Sequence, residues 1–434
     1  MSSKSARSFG GRALVAALLA ALLGPSPARS GQDPPADPSE LVNALLGGLL
    51  GFRPASEDEL RSDVETIGGV PFLWSVPFDY MTRHEVTRYI DALLDDEYPA
   101  ERARVDERTL RALDLLPAGT DLRAVRRQLL LENVVGFYDD RPGQRRLYTV
   151  SADRSLTPAN QLVLAHELRH ALQDQHISIH GLLGQEVSDF DDRRLALMSL
   201  LEGDATLVME RFLARRLGRE SEGLAEGLAL PAPEMPGTAP VLRDQMVVPY
   251  LAGLGFVRHL ERQGGWAAIR EAWRQPPRST EQVLHPEKYV GGEEPRPVEL
   301  EPGAEPPAGQ LLTDGVLGEA LVRTLLDGDE AGAAGWGGDR YAVWDVRGRT
   351  LLVWRSLWDS EHDRGEFRRA LVGRFSRART RSAALGPSPW SGFEGGGWHF
   401  AIADARGAVV LVSSDDRELL KASVARITVS AEAP

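Results

Sequence analysis

Apolar and polar positions follow one another with different periods along this chain, and the changes of period divide it. From about residue 60 to 292 periodic apolar segments are dense, with few long breaks. The best-defined one opens at Thr157-Pro158, a good N-cap followed by a good first helical residue. It carries Leu164, Leu168 and Leu172 as an apolar stripe at helical spacing. Asp191 to Leu217 predicts a second, long helix with Leu195, Met198, Ala205, Met209 and Phe212 along one face. Just upstream of the first helix, Val134–Tyr138 and Leu147–Val150 flank the turn Asp139 to Gln144 as a β-hairpin. Residues 219–240, rich in Gly, Pro and Glu, read as a surface loop.

Residues 293–310 are rich in Pro and Glu and predict a connector. Beyond it the period changes to that of strands. Tyr341–Val346 and Thr350–Trp358 predict a hairpin around Arg347-Gly348-Arg349, and a helix follows from Ser360 to about Phe375. A second hairpin, Trp398–Ala403 with Ala408–Val412, precedes a last helix starting near Asp416. This element count predicts an α+β module. Its tryptophans (Trp336, Trp344, Trp354, Trp358) suit a recognition face, although at strand spacing they suit a core better.

The N-terminus reads as targeting signal. Lys4, Arg7 and Arg12 precede the apolar run Ala13 to Leu23, and Ala28 and Ser30 suit a cut before Gly31. The expectation is a cleaved leader and a secreted or periplasmic protein, with an uncleaved anchor as the alternative. A Pro-rich spacer (31–38) and a short helix from Glu40 to Leu50 come next.

Charge and composition narrow the chemistry. A net charge of −13 argues against a nucleic-acid partner. The absence of cysteine removes thiol catalysis and Cys-based metal sites, so any metal must be held by His, Asp or Glu.

Residues 166–170 read HELRH, the HExxH pattern. Histidines four apart lie on one helix face and can reach one ion, and the glutamate between them can address a water there. The chemistry this predicts is metal-assisted hydrolysis, with His166 and His170 as ligands and Glu167 as general base. A catalytic zinc needs a third protein ligand. His176 has the spacing of a longer histidine motif but lacks its glycine, Gln173 standing there. On a continuing helix His176 is rotated by about 240° from His170. Glu202 lies on the apolar stripe of the second helix, where a carboxylate must be paired, protonated or metal-bound. Gly203 beside it predicts a close approach, and pairing of Glu202 with Arg194 is the non-metal alternative.

The strings HELRHALQDQH and LEGDATLV resemble the gluzincin, or peptidase MA-like, metallopeptidases. GFYDDRPGQRRLYTV (136–150) and PPRSTEQVLHPEKY (276–289) resemble a bacterial branch of that group. The resemblance covers about residues 75–290. It implies one zinc per chain held by His166, His170 and Glu202, Glu167 as base, a peptide or protein substrate, and a zincin-like fold. In that fold the hairpin's edge strand aligns an extended peptide. The implied organisation is a leader (1–30), a linker with a short helix (31–59), a zincin-like domain (60–292), the connector (293–310) and a C-terminal α+β domain (311–434). One position departs: thermolysin-like members carry an acidic residue four after the ligand glutamate, where this chain has Thr206, and Asp204 is expected to face elsewhere. For the oxyanion donor, His285 is the leading candidate, with Tyr250 and Tyr289 behind it. The alternative function is a non-catalytic zinc-binding or cell-envelope interaction protein.

Overall fold

The computed structural model describes residues 43–151, 156–183, 188, 190–219, 237–385 and 388–427. The leader, the spacer and most of the 219–240 loop lie outside these residues. Of the helix expected from Glu40 to Leu50, the described part is a π-helical turn, Ala44–Leu49.

The architecture is mixed α+β with a sheet at the C-terminal end. The first part is built from α1 (Glu57–Gly68), β1 (Phe78–Met81), α2 (Arg83–Glu97), α3 (Ala100–Ala112), α4 (Leu122–Asn133), β2 (Gly136–Asp139) and β3 (Arg146–Val150). The motif helix α5 (Pro158–Ile177), the long α6 (Asp192–Leu217) and α7 (Pro240–Arg274), interrupted at Gly264–Gly265, follow. Two short helices, α8 (Thr280–Leu284) and α9 (Pro286–Val290), close this part. The expected hairpin is present, β2 pairing antiparallel with β3, and β1 joins β3 in parallel.

The edge strand does not stand as expected. All four β2 residues are buried, and the Tyr138 N–H donates to the Glu167 carboxylate of α5 at 2.8 Å. Side-chain demand from a buried helix therefore covers β2, so it is not free to align a peptide.

Residues 293–309 run as coil between α9 and β4 (Gln310–Gly315). After α10 (Gly318–Leu325) come β5 (Trp336–Val346), β6 (Arg349–Trp358), α11 (Glu361–Ala378), β7 (Thr380–Arg381), β8 (Ser391–Gly395), β9 (Trp398–Ala405), β10 (Ala408–Ser414) and α12 (Arg417–Arg426). Both expected hairpins form, each on a two-residue turn with positive φ, at Arg347-Gly348 and Arg406-Gly407. They extend into a seven-stranded sheet of order β4-β5-β6-β10-β9-β8-β7. Ser360 and Asp416 cap the two expected helices. The four tryptophans are all buried, so they belong to the core and not to a recognition face.

The connector does not separate two cores. Trp336, Trp354 and Trp358 on β5 and β6 share one apolar cluster with Val86 and Ile90 of α2, Leu110 of α3 and Leu130 of α4. Polar ties follow the same seam: Arg108 donates to Asp345 (2.7 Å) and Thr350 (2.9 Å), and Ser413 to the Ala112 carbonyl (2.6 Å). Among the described residues no helix is long and apolar enough to cross a membrane.

Candidate metal centre

Thr157 caps α5 by accepting from the Asn160 N–H, and Pro158 occupies the first turn. The stripe of Leu164, Leu168 and Leu172 is buried, but so is nearly every other side chain from Ala159 to Gln175. A helix buried all round needs partners for its polar groups, and several of these lie on other parts of the chain. Gln161 accepts from Ala55 N (2.7 Å). Asp174 accepts from Tyr138 Oη (3.0 Å), and Gln175 holds the backbone of Leu73 and Trp74. These ties fix α5 in rotation and depth, and so aim its motif.

His166, Glu167, His170 and Glu202 are fully buried. His166 Nε2 lies 2.9 Å from His170 Nε2 and 3.0 Å from Glu202 Oε2, and His170 Nε2 lies 3.3 Å from the same oxygen. A tetrahedral ion with bonds of about 2.0–2.1 Å has ligand-to-ligand edges of about 3.3 Å. The triad's spacing is close to that and a little tighter. Among the described residues, Glu202 Oε1 and His166 Nδ1 have no hydrogen-bond partner. A fully buried carboxylate whose partners are two imidazoles is costly on its own and natural around a cation. The N,N,O donor set suits zinc.

Burial pulls the His166 imidazolium down to about 4, which favours the neutral, ligating form. Burial opposes ionisation of Glu202, but the facing His170 and His166 outweigh it and hold this carboxylate well below its ordinary range. Burial thus favours the neutral form of His166, while His170 is the main group favouring the ionised form of Glu202.

The remaining candidates are placed as follows. His176 is exposed, and its Nε2 lies 3.0 Å from the Pro71 carbonyl. Arg194 donates to the Leu183 carbonyl at 2.8 Å. Gly203 meets α7: a Cβ there would lie 2.2 Å from the backbone of Gly253, and one on Gly253 would lie 2.1 Å from Ser199 O. The close approach expected at Gly203 is thus a crossing of two helix backbones. Asp204 does not face elsewhere. It receives Arg169 through two bonds of 3.0 Å, Gln173 at 2.7 Å and Trp273 Nε1 at 3.1 Å. Among the described residues Thr206 Oγ1 has no hydrogen-bond partner.

His285, ranked first from the sequence, is turned toward the C-terminal sheet side and pairs with Glu319 (2.8 Å), which keeps its imidazolium raised. Tyr289 donates to the Gln275 carbonyl at 2.7 Å. Of the three, Tyr250 adjoins the triad, its ring stacked on His166 with centroids 6.0 Å apart. Proximity thus favours Tyr250 over His285, and a residue 84 positions from His166 in the chain gives no local signal of it.

Residues 306–423, less than a third of the chain, match a family described as Domain of unknown function (DUF8575). No curated protein and no solved structure matches the chain.

Proposed function

We propose that this protein is a secreted zinc-dependent metallopeptidase whose first part has a zincin-like architecture. The convergence of His166, His170 and Glu202 on one point, with Glu167 on the same helix, is the observation that carries the reading. His166, His170 and Glu202 would hold the ion. Zinc, when bound, supplies Lewis acidity, polarising a carbonyl and bringing a water's pKa toward neutrality.

The chain's own residues supply the rest. Glu167 Oε2 accepts the Tyr138 N–H, which stabilises the ionised carboxylate and fixes its direction. As general base it takes a proton from water, and then returns it to the leaving amine. Tyr250, whose ring stacks on His166, would donate to the oxyanion that forms. Because all four site residues are buried, a peptide reaches them only when part of the surrounding wall opens.

That complete burial is also the observation favouring the alternative, a zinc protein without turnover, since structural zinc sites are closed. Metal content of wild type and Glu202→Ala comes first: about one zinc in wild type and a marked loss in the variant is expected. Zinc in neither would end the metal reading. A peptide-library screen with Glu167→Gln as control then separates the two functions. Hydrolysis by wild type and none by a zinc-replete Glu167→Gln is the peptidase result; a zinc-replete wild type that cleaves nothing leaves the non-catalytic protein.

A further inference from the structure

Gln173 replaces the glycine of a longer histidine motif, and nothing in the sequence gives it a task. In the structure it is buried between the motif helix α5 and the ligand helix α6. Its Nε2 lies 2.7 Å from Asp204 Oδ2 and 3.1 Å from the Leu201 carbonyl. Both are acceptors, so the amide nitrogen must be the atom facing them. The amide oxygen is then the atom that lies 2.9 Å from His170 Nδ1. An amide oxygen only accepts, so Nδ1 must carry the proton. In the neutral ring, the form that ligates a metal, His170 Nε2 then presents its lone pair toward His166 and Glu202.

We propose that Gln173 is the positioning residue of this site, fixing the ring direction and the Nδ1–H tautomer of His170 through a relay that ends on Asp204. Asp204 is itself held by several donors. The Arg169 guanidinium grips both its oxygens, and that guanidinium lies 4.7 Å and 5.2 Å from the ring centres of Trp273 and Trp266. The relay joins both metal-bearing helices, because Leu201 and Asp204 flank Glu202 on α6. Among the described residues His166 has no equivalent, its Nδ1 lacking a hydrogen-bond partner there. The site is thus supported on one side only. The role toward zinc rests on the proposed function; the tautomer does not.

Two measurements on the full-length protein test it. The first uses 15N-histidine-labelled, metal-free wild type and reads long-range 1H–15N correlations, with His170 assigned by the peaks lost in His170→Asn. A protonated Nδ1 is expected, and a neutral ring protonated at Nε2 alone overturns the proposal. The second compares zinc affinity by chelator competition. Gln173→Met, similar in volume but without the acceptor, should lose the single tautomer and bind zinc about 10–100-fold more weakly. Gln173→Glu restores an acceptor and, next to Asp204, will hold a proton; it should recover the Nδ1–H form and part of the affinity. Wild-type affinity together with an unchanged tautomer in Gln173→Met overturns the proposal. Should wild type bind no zinc, the metal reading falls and the metal-free spectrum alone decides the role of Gln173.

Discussion

Arg169 sits between the two motif histidines in sequence and points away from them, into a fully buried slot. One wall of that slot is α1: a Cβ on Gly68 would lie 2.1 Å from the guanidinium. The charge is tolerable there because Asp204 neutralises it and two indole faces surround it. Asp204→Ala strands that cation, and such a loss costs about 3–5 kcal/mol. Urea unfolding of the two proteins measures it, and a difference under about 1 kcal/mol would show that Arg169 finds other compensation. Removing Arg169 as well, in Arg169→Met/Asp204→Ala, should recover part of the loss, since the stranded charge goes with it. The HExxH residues were legible at this scale because four-residue spacing on a helix is a local fact. Gln173 and Asp204 were not, because their roles need the rotation of α5 against α6.

At the scale of elements, the decisive contact is the crossing of α6 and α7 at Gly203 and Gly253. It brings two backbones within the space of a missing side chain, and Glu202 is the residue next to that crossing. Gly203→Ala must push the helices apart or bend them. Overpacking of this kind costs about 1–3 kcal/mol or more, even though alanine has the better helix propensity. A lower thermal midpoint together with weakened zinc binding is expected, because the same shift moves Glu202. A variant as stable as wild type, with unchanged zinc affinity, would refute the geometric account. The helices themselves were readable from periodicity and caps: Thr157, Asp191, Ser360 and Asp416 all stand as N-caps. Strands β1, β4, β7 and β8 were not anticipated. Short edge or near-edge strands carry little pattern of their own and take their conformation from the sheet they join.

For the whole molecule, the C-terminal sheet is part of the unit that carries the site. The segment 279–289, which carries the oxyanion-donor candidate His285, is tied into the fold as a clasp. Thr280 donates to Asp192 at the start of α6, His285 pairs with Glu319, and Lys288 joins Glu281 (2.6 Å) to Asp359. Asp192 presses on Gly318, where a Cβ would lie 1.7 Å from its Oδ1. Asp339 then accepts the backbone N–H groups of Leu317 and Gly318 at 2.8 and 2.9 Å. The full chain should therefore unfold in one calorimetric transition, and removal of residues 306–434 should give an aggregating product without zinc. Two separated transitions, or a truncated product that keeps its zinc, would contradict this. Burial raises the Asp339 carboxyl to about 6 and moves Asp192 in the same direction. Folding then favours the protonated acids, so this junction contributes most below the ordinary carboxylate range and loses stability as pH rises through about 6. Urea midpoints of wild type should fall more steeply across that window than those of Asp339→Asn; equal slopes would refute the linkage.

The sequence by itself determined what is local: the HExxH pair on one helix face, the caps, the hairpin turns, and the change from helical to strand period after the connector. It also singled out Glu202, since a carboxylate on an apolar stripe needs an explanation wherever the helix ends up. Only the tertiary structure decided which groups Glu202 and His170 meet, that Asp204 faces the motif helix, that Tyr250 and not His285 adjoins the triad, and that β2 is covered. Those outcomes depend on the relative rotation and separation of elements far apart in the chain, set by packing at contacts such as Gly203 on Gly253 and Arg169 on Trp273, and no periodicity within a single segment encodes them.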